Sequence, residues 1–408
     1  MKIGVIGNMN NMYFSLTRYL LDEGFDCEQL IFDYEAEHFH PSYDSYENGF
    51  DKYVKKLSWG DPGNFLKQDF DQVRADLKPY DFLIGCGTSP AFVHRINRRL
   101  DIFIPYGDDL YSYPFLKIVH PIRMAPYMAT AYHQRKGIRQ VPYLIFERSG
   151  AEFEKVFTKL KYKGQRIVSA MPSVYHKEYE PNKLRKIVLE SPFAVQLRQL
   201  KTENDLIILQ YVRQVWKPIR DKWSLKGNDL LIKGYAAFLK KYPAVTSKLI
   251  LVEYGVQVNE TKRLIKELNI ENQVVWLPKM PRKDLMQVIA VSDLVVGELH
   301  HSWLTYCVVF ETLCMGKPLL HNRNDDEFKD AYPCLYPMLH ASSAETVLDG
   351  LSRLVENKEE VQKIADESHK WFLDFCVRRP VQQIIRIIQS KNSVLLPFLL
   401  LARSYEQF

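Results

Sequence analysis

The chain has 408 residues, of which 46% are hydrophobic and 25% are charged, a composition typical of globular proteins and not of disordered or fibrous ones. This length exceeds what one ordinary core supports and predicts two or three domains. The net charge of +6 suits an anionic small molecule or an anionic membrane surface. It does not indicate nucleic-acid binding, because no basic stripe with interleaved aromatic residues stands out.

Cysteine usage and hydropathy both indicate a cytoplasmic protein. The six cysteines show no CxxC spacing and lie mostly in apolar segments, which predicts reduced core thiols and no zinc site. No apolar run has membrane-spanning length, and the opening MKIGVI is typical of a strand and not of a signal peptide. We therefore expect a cytoplasmic location, with the inner face of the membrane as a further option.

Short β-type runs alternate with helical stretches through the first part of the chain. Near-continuous apolar strands separated by helices predict a parallel sheet that is covered on both faces. The strands are predicted at KIGVI from Lys2, QLIF from Gln29, YDFLIG from Tyr80, DIFIP from Asp101, VPYLIF from Val141 and RIVSA from Arg166. This series predicts one doubly wound α/β domain.

A polar passage with two prolines follows, and the alternation then begins again. The second series of strands is predicted at DLIIL from Asp205, KLILV from Lys248, QVVWL from Gln273, DLVV from Asp293 and PLL from Pro318. The predicted parts are a first Rossmann-like domain (1–175), a linker (176–204), a second Rossmann-like domain (205–357) and terminal helices that cross back to the first domain (358–408). Ligands of such sheets bind beyond the carboxyl ends of the strands, so we expect the site in a central cleft that both domains face.

The terminal segment ends in an apolar run, VLLPFLLL, from Val394 to Leu401. The run is too short to span a bilayer. We expect it to pack on the first domain, and a peripheral membrane contact or an oligomer contact is the alternative.

The loop GNMNNM directly follows the first strand and precedes a helix. Its Gly7, Asn8, Asn10 and Asn11 let the backbone approach a ligand, and a helix N-terminus favours negative charge. The loop is therefore a candidate substrate-binding element. An ordinary turn with an asparagine cap explains the same residues.

Paired aspartates occur at two places in the first domain. Asp108 and Asp109, in IPYGDDL at a predicted strand end, are candidates for holding sugar hydroxyls or acting as a base, or they only cap the next helix. Asp69 and Asp71 lie in a stretch that is typical of a helix, so they predict no metal site.

Two cations flank the first strand-to-helix loop of the second domain. Arg213 follows the predicted strand, and Lys226 stands just before the next helix. Two fixed cations at a strand end suit a diphosphate. The alternative is a pair of solvated surface charges.

A third loop, DLVVGELHHS, offers His300, His301 and Ser302. Adjacent histidines do not suit one metal, so we expect imidazole and hydroxyl donors for a phosphate or a sugar hydroxyl. The alternative is that one imidazole is simply exposed.

Glu311 is the one carboxylate in the apolar stretch VVFETLCMGKPLL. An unpaired buried carboxylate would cost several kcal/mol, so a partner must lie nearby. Two adjacent ribose hydroxyls would satisfy it. A structural ion pair with a lysine or arginine is the alternative.

Over roughly residues 205–325, the second domain resembles the retaining GT-B glycosyltransferases, in particular family 4 and its glycogen-synthase-like relatives. The matching segments keep the family's order: Arg213, KGNDLLI from Lys226, LILVEYG from Leu249, NQVVWLPKM from Asn272, VSDLVV from Val291 and FETLCMGKP from Phe310. The first domain matches in outline, through its glycine loop and the strand that ends at Pro105, Tyr106, Gly107 and Asp108.

The resemblance implies a metal-independent donor site with no cofactor. Arg213 and Lys226 would hold the donor diphosphate, Glu311 would hold the nucleotide ribose, and Tyr106 and Gly255 would line the substrate site. Two positions depart from the family. Trp303 stands eight residues before Glu311, where a second glutamate is common, and Tyr106 stands where a histidine is often found.

The implied function is transfer of a sugar from a nucleotide-sugar donor to a hydroxyl of a glycan, lipid-linked or protein acceptor held by the first domain. The family's stereochemical outcome would be retention. A nucleotide-sugar epimerase and a non-catalytic nucleotide-sugar-binding protein are the alternatives.

Overall fold

The computed structural model describes residues 1–47, 49–116, 120–147, 150–180, 183, 192–219 and 224–391. The chain divides into two compact units. Unit 1 comprises residues 1–43 and 47–175 together with the chain from 375 onward, and unit 2 comprises residues 44–46 and 176–374. The domain boundaries expected from sequence stay a prediction, and the apolar run from Val394 lies outside the described residues.

Unit 1 contains a seven-stranded sheet. Its strands are β1 (Lys2–Ile6), β2 (Asp26–Phe32), β3 (Val54–Leu57), β4 (Phe82–Gly85), β5 (Ile102–Phe103), β6 (Tyr143–Ile145) and β7 (Gln165–Ile167). They are hydrogen-bonded in the order β3-β2-β1-β4-β5-β6-β7, and every pair is parallel. The reversal of order at β1 and β4 is typical of a doubly wound sheet.

Helices cover both faces of this sheet. They are α1 (Met12–Asp22), α2 (Phe70–Leu77), α3 (Ser89–Arg95), α4 (Asp108–Tyr111), α5 (Pro121–Gln140) and α6 (Ala151–Leu160). Successive residues of one strand enter opposite cores: Phe82 and Ile84 pack into one cluster, and Leu83 packs into the other. Ile384 and Ile388, from the helical run 379–391, join the cluster that contains Phe82.

Unit 2 repeats the design with six strands. They are β8 (Leu206–Gln210), β9 (Ser247–Val252), β10 (Val274–Leu277), β11 (Leu294–Val296), β12 (Leu319–His321) and β13 (Leu339–His340). Their order is β10-β9-β8-β11-β12-β13, again all parallel. The helices are α7 (Ala194–Glu203), α8 (Asn228–Lys241), α9 (Val258–Glu267), α10 (Arg282–Val291), α11 (Cys307–Cys314), α12 (Asp325–Phe328), α13 (Ala344–Glu356) and α14 (Lys358–Trp371). A π-helical stretch, Phe372–Arg378, continues from α14.

The predicted fold class is confirmed, since both units are doubly wound parallel sheets. All eleven predicted strands are present. β3 and β13 were not predicted because β3 carries two exposed lysines at the sheet edge and β13 has only two residues. All six cysteines are free thiols, but Cys334 is exposed and not in a core. Within the described residues, no helix is long and apolar enough to cross a membrane.

Candidate functional site

Two loops of unit 2, the one between β8 and α8 and the one after β11, meet at Lys226. The backbone N–H of Lys226 donates to the carbonyl of Val215 at 2.7 Å, and the N–H of Leu299 donates to the carbonyl of Lys226 at 3.0 Å. Gly227 follows with φ +70°, and a Cβ there would lie 2.8 Å from the Cβ of Leu299. Only glycine therefore fits this close approach.

Gly255 fixes the position of the loop that carries Arg213. Its φ is +122°, and a Cβ at this position would lie 2.4 Å from the backbone nitrogen of Gln214. That nitrogen donates to the carbonyl of Tyr254 at 2.6 Å. Because Gly255 has no Cβ, the loop that carries Gln214 and Arg213 can pack closely against it.

Lys226 has a carboxylate partner that the sequence analysis did not identify. Its Nζ lies 2.6 Å from Oε1 of Glu298, and the side chains are 11% and 12% exposed. Arg213, the second predicted cation, is exposed. Burial raises the pKa of Glu298, and the charges of Lys226 and Arg213 oppose that rise. The position of Glu298, two residues after the end of an apolar strand, was a usable signal, because side chains at strand ends line ligand sites.

The loop after β11 is held by a buried hydrogen-bond chain. Ser302 is 3% exposed, and its Oγ lies 3.0 Å from Nδ1 of His321. Nε2 of His321 lies 3.2 Å from the hydroxyl of Tyr336, which donates to the carbonyl of Leu304 at 2.7 Å. Burial lowers the pKa of His321 well below its ordinary value. Ser302 therefore shapes the loop from inside.

The two adjacent histidines differ in environment. His300 is exposed, and its carbonyl accepts a hydrogen bond from the Asn322 amide. His301 is half-buried, and its ring meets the ring of Trp303 edge to face at 5.5 Å. Of the two imidazoles, that of His300 is accessible to a ligand.

Glu311 is 3% exposed and has two protein partners. Nε of Arg282 donates to its Oε1 at 2.8 Å, and the hydroxyl of Tyr211 donates to its Oε2 at 2.7 Å. Arg282 also donates to Oδ1 of Asp44 at 2.9 Å. This is the structural ion pair that was the alternative to ribose binding.

Burial and charge act in opposite directions on this cluster. Burial raises the pKa of Glu311, and Arg282 and Tyr211 oppose that rise. Burial acts to lower the pKa of Arg282, but the charges of Asp44 and Glu311 outweigh it and leave the pKa well above its ordinary value. Sequence reasoning missed Arg282 because one arginine at a helix start carries no distinctive signal.

In unit 1, the asparagines of the loop after β1 bind their own chain. Nδ2 of Asn8 donates to Oδ1 of Asn11 at 2.8 Å, and its Oδ1 accepts from the N–H of Phe14 at 2.9 Å. Asn11 donates to the carbonyl of His38 at 3.2 Å. Asn10 and Asn11 have φ values of 50° and 59°, a region that asparagine tolerates.

The two candidate aspartates of α4 have different surroundings. Asp109 is 3% exposed, and its carboxylate accepts from the backbone N–H groups of Gly87, Tyr106 and Gly107 at 2.8, 3.1 and 2.9 Å. Burial raises its pKa to about 7, against the effect of these amides. Asp108 is exposed and accepts from Ser112 at 2.9 Å. Asp109 therefore joins two loops, and Asp108 is the accessible carboxylate.

A cleft of about 400 Å³ lies beside β2 in unit 1. Its lining includes Phe32, Asp33, Glu35, His40 and Lys56. Glu35 is held by the backbone N–H groups of Asn8 at 2.8 Å and of Phe32 at 3.3 Å. Burial raises the pKa of Glu35 to about 7. The cleft thus combines an aromatic wall with carboxylates.

The pair Asp69 and Asp71 marks a helix start, as predicted. Asp69 caps α2 by accepting from the N–H of Asp71 at 2.9 Å, and Asp71 pairs with Arg74. In the part of the chain that the structure describes, no three His, Cys, Asp or Glu side chains are grouped so as to hold a metal ion.

Comparison with known proteins places this arrangement in a known fold. No family model matches the chain. Over 96% of this chain and all of the other, the fold superposes on HepE from Anabaena in complex with UDP-glucose, with a TM-score of 0.59 and 17% identity. The chain has the GT-B fold. A Listeria monocytogenes protein assigned as a UDP-N-acetylglucosamine 2-epimerase has the same TM-score at 12% identity, over 96% of each chain.

One curated sequence relative adds to this structural likeness. It is an uncharacterised glycosyltransferase from Haemophilus influenzae, 21% identical over 234 residues. The match takes in 53% of this chain and 58% of the relative, so a little over half of the relative's length is covered.

Proposed function

We propose that the protein is a glycosyltransferase that moves a sugar from a nucleotide-sugar donor to an acceptor hydroxyl. The observation that carries this proposal is the pair of cations on the strand-end loops of unit 2, in a chain whose fold matches that of UDP-glucose-bound HepE along nearly its whole length. The name of the Haemophilus relative supports the same reaction class.

Lys226 and Arg213 would act on the leaving diphosphate. A cation about 4 Å from a phosphate charge contributes about 4 kcal/mol at an effective dielectric of 20. Because negative charge develops on the diphosphate as the sugar departs, fixed cations stabilise the transition state more than the ground state. We infer that the donor site works without a metal and that the configuration is retained, as in the family that the second domain resembles.

Glu311 is our candidate for contacting the ribose, and its surroundings set a condition. A carboxylate has about four acceptor positions, and Arg282 and Tyr211 use one on each oxygen. Because the side chain is nearly inaccessible, ribose binding requires Tyr211 or Arg282 to shift.

Unit 1 is our candidate for holding the acceptor. The cleft beside β2 offers aromatic rings and the carboxylates of Asp33 and Glu35, which are groups that bind sugar hydroxyls. Asp108 and Tyr106 are accessible residues on another strand end of the same unit. We assign the acceptor hydroxyl to this unit and leave glycan, lipid-linked and protein acceptors as the classes to be tested.

A thermal-shift panel of UDP-, GDP-, ADP- and dTDP-sugars tests the proposal, since a ligand that binds the folded chain raises its unfolding temperature. We expect one nucleotide class to stabilise the wild-type chain, and Arg213→Ala and Lys226→Ala to lose most of that shift. Lys233→Ala is the matched control, because Lys233 is an exposed lysine of α8 whose described ion pair is with Asp229 of the same helix. A panel with no stabilising member, or equal shifts in all four proteins, would contradict the proposed donor site.

Epimerisation of a nucleotide sugar is the second candidate, favoured by the likeness to the Listeria protein. The two reactions differ in their need for an acceptor. A transferase incubated with donor alone should release nucleoside diphosphate slowly by hydrolysis, whereas an epimerase should convert the donor to an isomer with the diphosphate intact. Chromatography of the donor after incubation distinguishes the two.

A further inference from the structure

Glu298 is a carboxylate beside Lys226, and its negative charge would repel a donor diphosphate at that lysine. Its Oε1 lies 2.6 Å from Nζ of Lys226, and neither side chain is more than 12% exposed. The cation that we assign to the diphosphate is therefore already neutralised in the ligand-free chain. A phosphate that binds Lys226 must displace this carboxylate or share the cation with it.

Four elements contribute the groups that face Glu298. Lys226 precedes α8, Arg213 follows β8, and both act on the Glu298 charge. Tyr306, which precedes α11, accepts a hydrogen bond from the backbone N–H of Glu298 at 3.0 Å. The backbone N–H of Asn322, after β12, donates to the Glu298 carbonyl at 2.9 Å. The backbone of Glu298 is thus fixed, and only its side chain is placed to respond to a ligand.

We propose that Glu298 is an exchangeable counter-ion of the donor site: the donor diphosphate takes over Lys226, and the released Glu298 carboxylate takes up one proton from solvent. Lys226 remains an ammonium group throughout. The proposal rests on the proposed function, because it needs the diphosphate at Lys226. It adds that donor and proton bind together, which nothing in the GT-B fold requires.

The direction of the pH effect follows from linkage. Burial already raises the pKa of Glu298, and removing its contact with Lys226 while adding phosphate charge raises it further. Between the two pKa values, the complex holds one proton more than the free chain. Donor affinity therefore falls as the pH rises, by at most about tenfold per pH unit for one proton.

Calorimetry with UDP-glucose over pH 6 to 8.5 tests the proposal, because the diphosphate of UDP-glucose does not itself titrate in this range. Measurements in two buffers of different ionisation enthalpy count the protons taken up. We expect the wild-type chain to take up a proton and to lose affinity with rising pH. Glu298→Gln should bind at least as tightly at pH 8 as the wild-type chain does at pH 6, with no proton uptake.

Two further variants keep the outcome interpretable. Glu298→Asp keeps the charge and should keep the pH slope, which holds even if the glutamine variant folds poorly. Glu356→Gln removes an exposed carboxylate that lies 3.5 Å from Lys241, the last residue of α8. This control variant should show the same pH slope as the wild-type chain.

Equal pH slopes in the wild-type and Glu298→Gln chains would overturn the role of Glu298 and leave the donor site standing. A rise in affinity with Mg²⁺ that Glu298→Gln abolishes would also overturn it, since the carboxylate would then bind a bridging metal and not a proton. A wild-type chain that binds UDP-glucose at none of these pH values would contradict this inference, whereas the proposed function is contradicted only if the nucleotide-sugar panel has no stabilising member.

Discussion

Four largely buried carboxylates, two in each unit, are held in two different ways. In unit 1, Asp109 and Glu35 accept hydrogen bonds from backbone N–H groups, and burial raises the pKa of each to about 7. In unit 2, Glu298 and Glu311 each face a cation, Lys226 or Arg282. Asp109 and Glu35 are thus satisfied by neutral amides, whereas Glu298 and Glu311 are satisfied by charge.

This difference bears on what each unit can bind. Amides that hold a carboxylate fix the backbone and do not themselves supply a cation for a phosphate. A cation that holds a carboxylate is itself a phosphate-binding group, and a stronger anion can displace its partner. The charges around these carboxylates therefore support our proposal that the diphosphate binds in unit 2 and a hydroxyl-bearing acceptor in unit 1.

The largest effect should come from removing the cation of the Glu311 cluster. Arg282→Met leaves both Glu311 and Asp44 without their buried cation, and breaking such a pair costs about 3–5 kcal/mol. Glu311→Leu should cost less, because Arg282 keeps Asp44. Denaturant unfolding of the two variants and the wild type measures the free energies, and equal losses would show that Asp44 adds nothing to the cluster.

A smaller but more informative difference in stability should separate variants of the two cations of the proposed donor site. Lys226→Ala leaves Glu298 buried without its partner and should lower the free energy of unfolding by about 1–3 kcal/mol. Arg213→Ala, at an exposed position, should change it by no more than about 0.5 kcal/mol. Both should weaken donor binding in the thermal-shift panel. If Arg213→Ala unfolds as readily as Lys226→Ala, then Arg213 has a structural role that its exposure conceals.

The fold was predictable because its strands are short apolar runs between helices, and this pattern is local. β3 was not predicted, because its two lysines are exposed at the sheet edge and give the segment the composition of a polar loop. β13 was not predicted, because a strand of two residues is too short to show any periodicity.

Only those residues of the candidate site that stand next to a predicted strand or helix could be identified from the sequence. Arg213 became a candidate because it follows a strand, and Lys226 because it precedes the next helix. Arg282 did not, because its partners Glu311 and Asp44 lie 29 and 238 positions away in the sequence, and no local pattern links residues so far apart. The need of Glu311 for a partner was evident from its apolar neighbours, whereas the identity of that partner was not.

The amide cradle of Asp109 should be less sensitive than the ion pairs of unit 2. Asp109→Asn keeps one oxygen for the N–H groups of Tyr106 and Gly107 but turns an NH₂ group toward the N–H of Gly87. One hydrogen bond is lost, and we expect a loss of about 1–2 kcal/mol in denaturant unfolding. Asp108→Asn, at the exposed neighbouring position, is the control and should be nearly neutral; a larger loss there would contradict the assignment of the loop-joining role to Asp109.

The smallest effect should be a change in pH dependence at Glu35. Its folded pKa of about 7 lies above the ordinary value of 4.5, so the folded chain binds the proton more tightly than the unfolded chain. The contribution of Glu35 to stability is therefore fully present below about pH 4.5 and is lost as the pH rises toward 7. Glu35→Gln does not titrate, so its stability relative to the wild type should increase by about 1 kcal/mol over this window after allowance for solvent screening.

Unfolding curves at pH 5 and pH 7.5 measure the difference, with the exposed neighbour Asp33→Asn as the matched control. A difference that stays constant with pH would mean that the amides of Asn8 and Phe32 offset the burial of Glu35 completely, and the contrast between the two units would then rest on Asp109 alone.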